Sequence, residues 1–244
     1  MAEVKWNIGC SGFHYKEWKQ EFYEGLAANK WLSFYSKHFN TLESNVTFYR
    51  LPSLTTLSKW HDESPNDFSF SVKAPQVITH YKKFYDIQIE LTVFYELIEK
   101  GLKGKLACVL FQFPPSFLYT EEKLRLITKN IDKSFDNVVE FRHESWYRPE
   151  VYKELQQHKI TFCNISHPQL KENFVPTSPI IYFRFHGVPQ LFKSAYSKEY
   201  LDTLVNQILQ NKTSKRIYFY FNNTMNLAAI ENASYVKKIT TKVF

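Results

Sequence analysis

Two glutamates, three histidines and three strong cations carry most of the chemistry this sequence offers. Glu140, Glu43 and His186 each stand near the end of a short apolar run. Such groups serve as general acids and bases, and the carboxylates also serve as metal ligands. Lys73, Arg142 and Arg184 end similar runs, and the arginine fork suits a carboxylate or phosphate. Asn45, Gln112, Asn222, Asn223, His80 and His143 add hydrogen-bonding groups close by in the sequence scheme. Glu140, His186 and Glu43 are therefore the catalytic candidates, and the cations, amides and remaining histidines are substrate-binding candidates. Trp146 and Tyr49 join that second set, because aromatics in the loops after strands can stack on a base or sugar ring. The bland alternatives stand beside these. The ions can neutralise one another as a buried lattice, and the aromatics can anchor loops, which is the favoured reading for them. The histidines and glutamates supply donor types for a divalent metal, yet no HxH or HExxH spacing occurs. A metal is not favoured, and the cofactor stays open.

These side chains need elements to hold them. Runs rich in Val, Ile, Phe and Tyr predict strands over 4–10, 39–45, 68–73, 106–112, 137–142, 160–166, 180–186 and 216–222. Helical spacing predicts helices over 27–37, 53–61, 86–100, 121–133, 149–158, 198–210 and 226–239, with Ser53, Thr120 and Ser197 as N-caps and Pro149 in the first turn. Residues 167–179 contain Pro168, Pro176 and Pro179, so that crossover is expected to be irregular. Gln112-Phe113-Pro114-Pro115 reads as a rigid loop with a cis bond before Pro115. Eight strands with helical crossovers predict an α/β fold, a TIM-type (β/α)8 barrel in a single domain over 1–244. An open doubly wound sheet is the alternative. Strand parity sharpens the expectation. Phe183 and Phe185 oppose Tyr182, Arg184 and His186, while Val139 and Phe141 oppose Glu140 and Arg142. The apolar parity should face the helices and the polar parity the barrel axis, which places the site at the C-terminal mouth.

Composition narrows the class. Of 244 residues, 44% are hydrophobic and 18% aromatic, enough for a large core. The net charge is +7, but no block of about five or more consecutive basic residues marks a nucleic-acid footprint. Cys10, Cys108 and Cys163 lie in apolar runs without CxxC spacing, so buried free thiols are expected. No P-loop, GxGxxG or GxSxG pattern occurs. No signal-peptide pattern and no run long enough to span a membrane is present, and the expected location is cytoplasmic with no membrane partner.

Ordered motifs run along nearly the whole chain. They include Gly9-Cys10-Ser11-Gly12-Phe13, Asn40-Thr41-Leu42-Glu43-Ser44-Asn45, Phe70-Ser71-Val72-Lys73-Ala74-Pro75, Gln112-Phe113-Pro114-Pro115, Glu140-Phe141-Arg142-His143, Arg184-Phe185-His186-Gly187 and Phe221-Asn222-Asn223. In these the chain resembles the YecE-like family, domain of unknown function 72. The resemblance implies a TIM-type barrel and assigns no activity. Ser166 stands where that family often has an aspartate, and Val188-Pro189-Gln190 is a thin version of its aromatic-rich segment. The leading functional reading is an enzyme, a hydrolase or lyase, acting on a small anionic or phosphorylated substrate. A nucleic-acid-binding or -processing protein and a non-catalytic small-molecule binding protein are the competing readings. No protein partner is indicated.

Overall fold

The computed structural model describes residues 4–241. All eight apolar runs form strands: β1 (Lys5–Cys10), β2 (Thr41–Ser44), β3 (Ser69–Lys73), β4 (Leu106–Phe113), β5 (Asn137–Phe141), β6 (Thr161–Ser166), β7 (Ile180–Phe185) and β8 (Arg216–Phe221). Eight α-helices accompany them: α1 (Trp31–His38), α2 (Val46–Tyr49), α3 (Leu54–Glu63), α4 (Gln88–Leu102), α5 (Glu121–Asn130), α6 (Pro149–Gln157), α7 (Lys198–Leu209) and α8 (Ala228–Thr241). The strands form one sheet of order β1-β8-β7-β6-β5-β4-β3-β2. The strand pairs are parallel, and a parallel bridge joins Ser11 to Glu43 at the two ends of that order. This is the TIM-type (β/α)8 class.

Local chemistry accounts for the helix starts. The hydroxyls of Ser53, Thr120 and Ser197 accept from the backbone N–H of Thr56, Lys123 and Tyr200, and Pro149 opens α6. Several ends differ from expectation. Asn45, Arg142, His186 and Asn222 each fall one residue past their strand, although the backbone N–H groups of His186 and Asn222 still donate to Ser166 O and Phe185 O. Helix α5 ends at Asn130, whose amide folds back on Leu126 O at 2.8 Å. The short helix α2 was not expected. Residues 167–179 are irregular, as the prolines require. The cis peptide lies at Val188–Pro189 and not before Pro115.

The chain gathers into two compact units. The first comprises Met1–Glu43, Asn164–Phe174 and Pro179–Phe244. In it β1, β8 and β7 pair in register, and α8 packs on β1 and β8. Phe185 stacks on Phe221 at 4.4 Å, Phe219 meets Trp6 at 5.5 Å, and all four are buried. Gly9 is required here, since a Cβ on it would stand 2.0 Å from Thr41 O.

The second unit comprises Ser44–Cys163 and Val175–Ser178. Its strands β3, β4 and β5 present their apolar parity to aromatic partners outside the sheet. Phe70 stacks on Trp60 of α3 and Phe111 meets Tyr95 of α4. The irregular segment is tied in by Thr177, whose hydroxyl accepts from Phe162 N and donates to Ile160 O, both at 2.8 Å.

Candidate functional site

In the second unit, polar side chains converge at the C-terminal ends of β3, β4 and β5. Pairing sets Gln112 opposite Glu140 and Lys73 opposite Leu110. The buried Lys73 ammonium donates to Gln112 Oε1 at 2.8 Å and lies 3.8 Å above the Phe48 ring. Phe48 is delivered by α2, which is docked where the Thr47 hydroxyl donates to Lys73 O at 2.6 Å. Glu140 is fully buried, and Arg142, two residues on and just past the end of β5, donates its Nε–H to the carboxylate. The Cys163 thiol lies 3.8 Å from the other Glu140 oxygen. Removing a carboxylate from water costs several kcal/mol unless a cation and hydrogen bonds replace it. Arg142 supplies that cation and still keeps 14% of its side chain accessible.

His80 completes this cluster from the helical turn Val77–Tyr81. Its ring meets Phe48 at 4.9 Å, and its Nδ1 is 2.8 Å from Thr79 Oγ1. Burial chiefly, then the positive charges of Lys73 and Arg142, hold its pKa down at about 4 against the pull of Glu140. The imidazole is therefore neutral at pH 7, and the surroundings are cationic. Asn45 sits at the N-cap of α2 with its Oδ1 buried and without a hydrogen-bond partner. His143 is engaged locally, its Nδ1 accepting from Ser145 N at 3.1 Å.

The first unit holds a second polar cluster of another kind. Both Glu43 oxygens are bonded. Oε1 accepts from Arg184 at 3.1 Å (Nε) and 2.7 Å (Nη2), and Oε2 accepts from the Tyr182 hydroxyl at 2.6 Å. Glu43 is 0% exposed and Arg184 2%. Tyr15 feels both charges, but burial dominates and raises its phenol pKa; its hydroxyl donates to Ser11 O at 2.5 Å. His186 is buried, with Nδ1 2.9 Å from the Asn222 amide nitrogen. Gly187 follows at φ +88°, a conformation that favours glycine, and any Cβ there would stand 2.7 Å from Gln190 O. Asn223 is buried and donates to Ser194 O at 3.0 Å and Asn232 Oδ1 at 3.1 Å, so it ties its loop together.

The two aromatic candidates separate cleanly. Trp146 is fully buried, stacked on Phe141 at 4.0 Å, with its indole N–H donated to Phe117 O at 2.6 Å. It is a loop anchor. Tyr49 is 75% exposed. Contributors outside the candidate set include Phe48, Tyr182 and Tyr15. Tyr182 shares strand parity with Arg184, and that was the available signal. Tyr15 lies in a loop, where no periodicity marks it. Cys10, Cys108 and Cys163 are buried free thiols. Among the described residues no three His, Cys, Asp or Glu side chains gather as a metal site, and no helix is long and apolar enough to cross a membrane.

The strand order and the polar strand ends define a (β/α)8 protein. The chain belongs to the DUF72 family, described as protein of unknown function, whose model matches residues 7–243. A DUF72 family protein from Thermotoga maritima is 30% identical and superposes with a TM-score of 0.88 over 97% of this chain and 99% of that one. One from Enterococcus faecalis, at 20% identity and a TM-score of 0.83 over 97% and 95% of the two chains, shares the fold. UPF0759 protein YunF of Bacillus subtilis is 30% identical over 62% of this chain, and UPF0759 protein YecE of Escherichia coli is 27% identical over 46% of it. The matched segments span 57% and 42% of those two relatives.

Proposed function

We propose that this protein is an enzyme acting on a small anionic substrate, a phosphate ester or carboxylate, held by the cluster at the ends of β3, β4 and β5. Lys73 and Arg142 bind the anion, Gln112 and Asn45 orient it, and Glu140 moves the proton. His80, neutral at working pH, hydrogen-bonds the substrate through the ring nitrogen that Thr79 does not engage. One observation supports this reading above the others. Two cations, an amide and a carboxylate occupy the C-terminal ends of three adjacent parallel strands, and (β/α)8 enzymes carry their chemistry at that end. His80, held neutral chiefly by burial and then by Lys73 and Arg142, adds an uncharged hydrogen-bonding group to the same cluster.

Calorimetry and turnover assays with phosphate monoesters, small carboxylates and lactones test the proposal. The wild-type protein is expected to bind at least one class, with about a tenfold or greater loss in Lys73→Met. Turnover is expected to disappear in Glu140→Gln. Absence of binding and turnover across the panel, with and without added divalent metals, would overturn it.

A further inference from the structure

Beside the cationic cluster, the second unit leaves an unusual set of large apolar side chains in water. Ile89 is 78% exposed, Tyr49 75%, Tyr81 70% and Val93 52%. They are not scattered. All four line one cavity of about 340 Å³, together with Phe48 and Val77. Single exposed apolar residues need no explanation, but a contiguous concave group of them marks a binding site. A cavity of this volume accommodates a one- or two-ring group and is too small for a protein helix.

Phe48 links the cavity to the cluster. It lines the cavity, carries the Lys73 ammonium 3.8 Å from its ring centroid, and meets the His80 ring at 4.9 Å. Thr47 also lines the cavity, and its hydroxyl holds the Lys73 carbonyl at 2.6 Å. The apolar surface and the Lys73 ammonium are thus separated by about the width of one aromatic ring. A ligand running along Phe48 meets positive charge at one end and aromatic walls at the other.

We infer that the substrate is an amphipathic anion, an aryl or comparably apolar phosphate or carboxylate, with its anionic head at Lys73 and Arg142 and its apolar body in the cavity lined by Phe48, Tyr49, Val77, Tyr81, Ile89 and Val93. This rests on the anion-binding reading above and adds the chemical class of the rest of the molecule. Burying one ring against such walls tightens binding by about one to two orders of magnitude relative to the bare head group.

Four probes separate the ideas: inorganic phosphate, phenyl phosphate, 2-naphthyl phosphate and uncharged 2-naphthol, each titrated calorimetrically into wild-type protein and into Ile89→Asn and Val93→Asn. Both substitutions lie on the exposed face of α4, and circular dichroism checks that they fold. Affinity is expected to rise from phosphate through phenyl to naphthyl phosphate, by about tenfold or more in total. The asparagine variants are expected to lower the ratio of naphthyl phosphate to phosphate affinity, each ratio taken within one protein, toward unity. Phosphate binding without any aryl gain would overturn the inference and leave the anion reading intact. Naphthol binding as well as naphthyl phosphate, with phosphate not binding, would overturn both, and so would no binding by any probe.

Discussion

The two polar clusters contain the same ingredients, a buried glutamate and an arginine at strand ends, but are built differently. In the first unit Glu43 and Arg184 come from strands β2 and β7, 141 residues apart, and close on each other with Tyr182 taking the remaining carboxylate oxygen. Neither side chain is more than 2% exposed. In the second unit Glu140 and Arg142 are two residues apart at the end of β5, Arg142 keeps 14% of its side chain accessible, and Lys73 and His80 crowd the same region. A long-range pair sealed from water holds elements in register. A local pair with a reachable cation can hold a ligand. Ion type alone does not distinguish scaffold from site; reach and exposure do.

The strongest way to break this comparison is Arg184→Met. It leaves the Glu43 carboxylate buried beside Tyr182 without its cation, and the loss of stability is expected to be about 3–5 kcal/mol by chemical denaturation. Pairing it with Glu43→Leu is expected to recover much of that loss, because no charge is then stranded. If Arg184→Met instead unfolds no more easily and abolishes anion binding, the roles of the two clusters are reversed.

Lys73→Met sharpens the other half. Anion affinity is expected to fall by about 1.5–3 kcal/mol, read by calorimetry, with a smaller change in stability. A change in stability equal to that of Arg184→Met would make the second cluster another lattice.

Acid provides a third test. His80 titrates at about 4 in the fold and near the ordinary value of about 6.5 when unfolded. The unfolded chain therefore binds more protons between those values. The His80 contribution is fully present above the unfolded pKa and is lost as pH falls toward 4. Replacing His80 with Gln is expected to reduce the loss of stability between pH 7 and 5 by about 1 kcal/mol. Equal pH slopes for the two proteins would show that burial and the neighbouring cations do not hold His80 neutral.

The smallest expected effects are controls. Ser197→Ala in the first unit and Thr120→Ala in the second each remove one N-cap bond and should each cost about 0.5–2 kcal/mol. Equal costs keep the comparison one of sites and not of scaffolds.

Much of the scaffold was legible from residue order alone. Strand positions, three caps, the proline start of α6 and the irregular 167–179 crossover follow from local rules that act within a few residues. The shared face of Glu140 and Arg142 follows too, because side chains two apart on a strand share a face, but that Arg142 and not Arg184 or Lys73 takes Glu140 came from the structure. Apolar and polar parity also told which side of β5 and β7 carries Phe141 and Phe185, which pack on Trp146 and Tyr196. Other assignments needed the fold. Nothing local says that Glu43 takes Arg184 in preference to Arg142 or Lys73, since partner choice across 141 residues depends on which strands the sheet sets within reach. Trp146 and Tyr49 were equal candidates in the sequence, yet one is stacked inside and the other lies in water. The short helix α2, which brings Phe48 to Lys73, arises from a tertiary bond between Thr47 and a strand carbonyl. Sequence by itself determined the elements and the faces they present, because those depend on chain-local sterics and periodicity. Tertiary structure decided which charges are spent on one another and which remain within reach of a ligand, because burial and pairing are properties of neighbours distant along the chain.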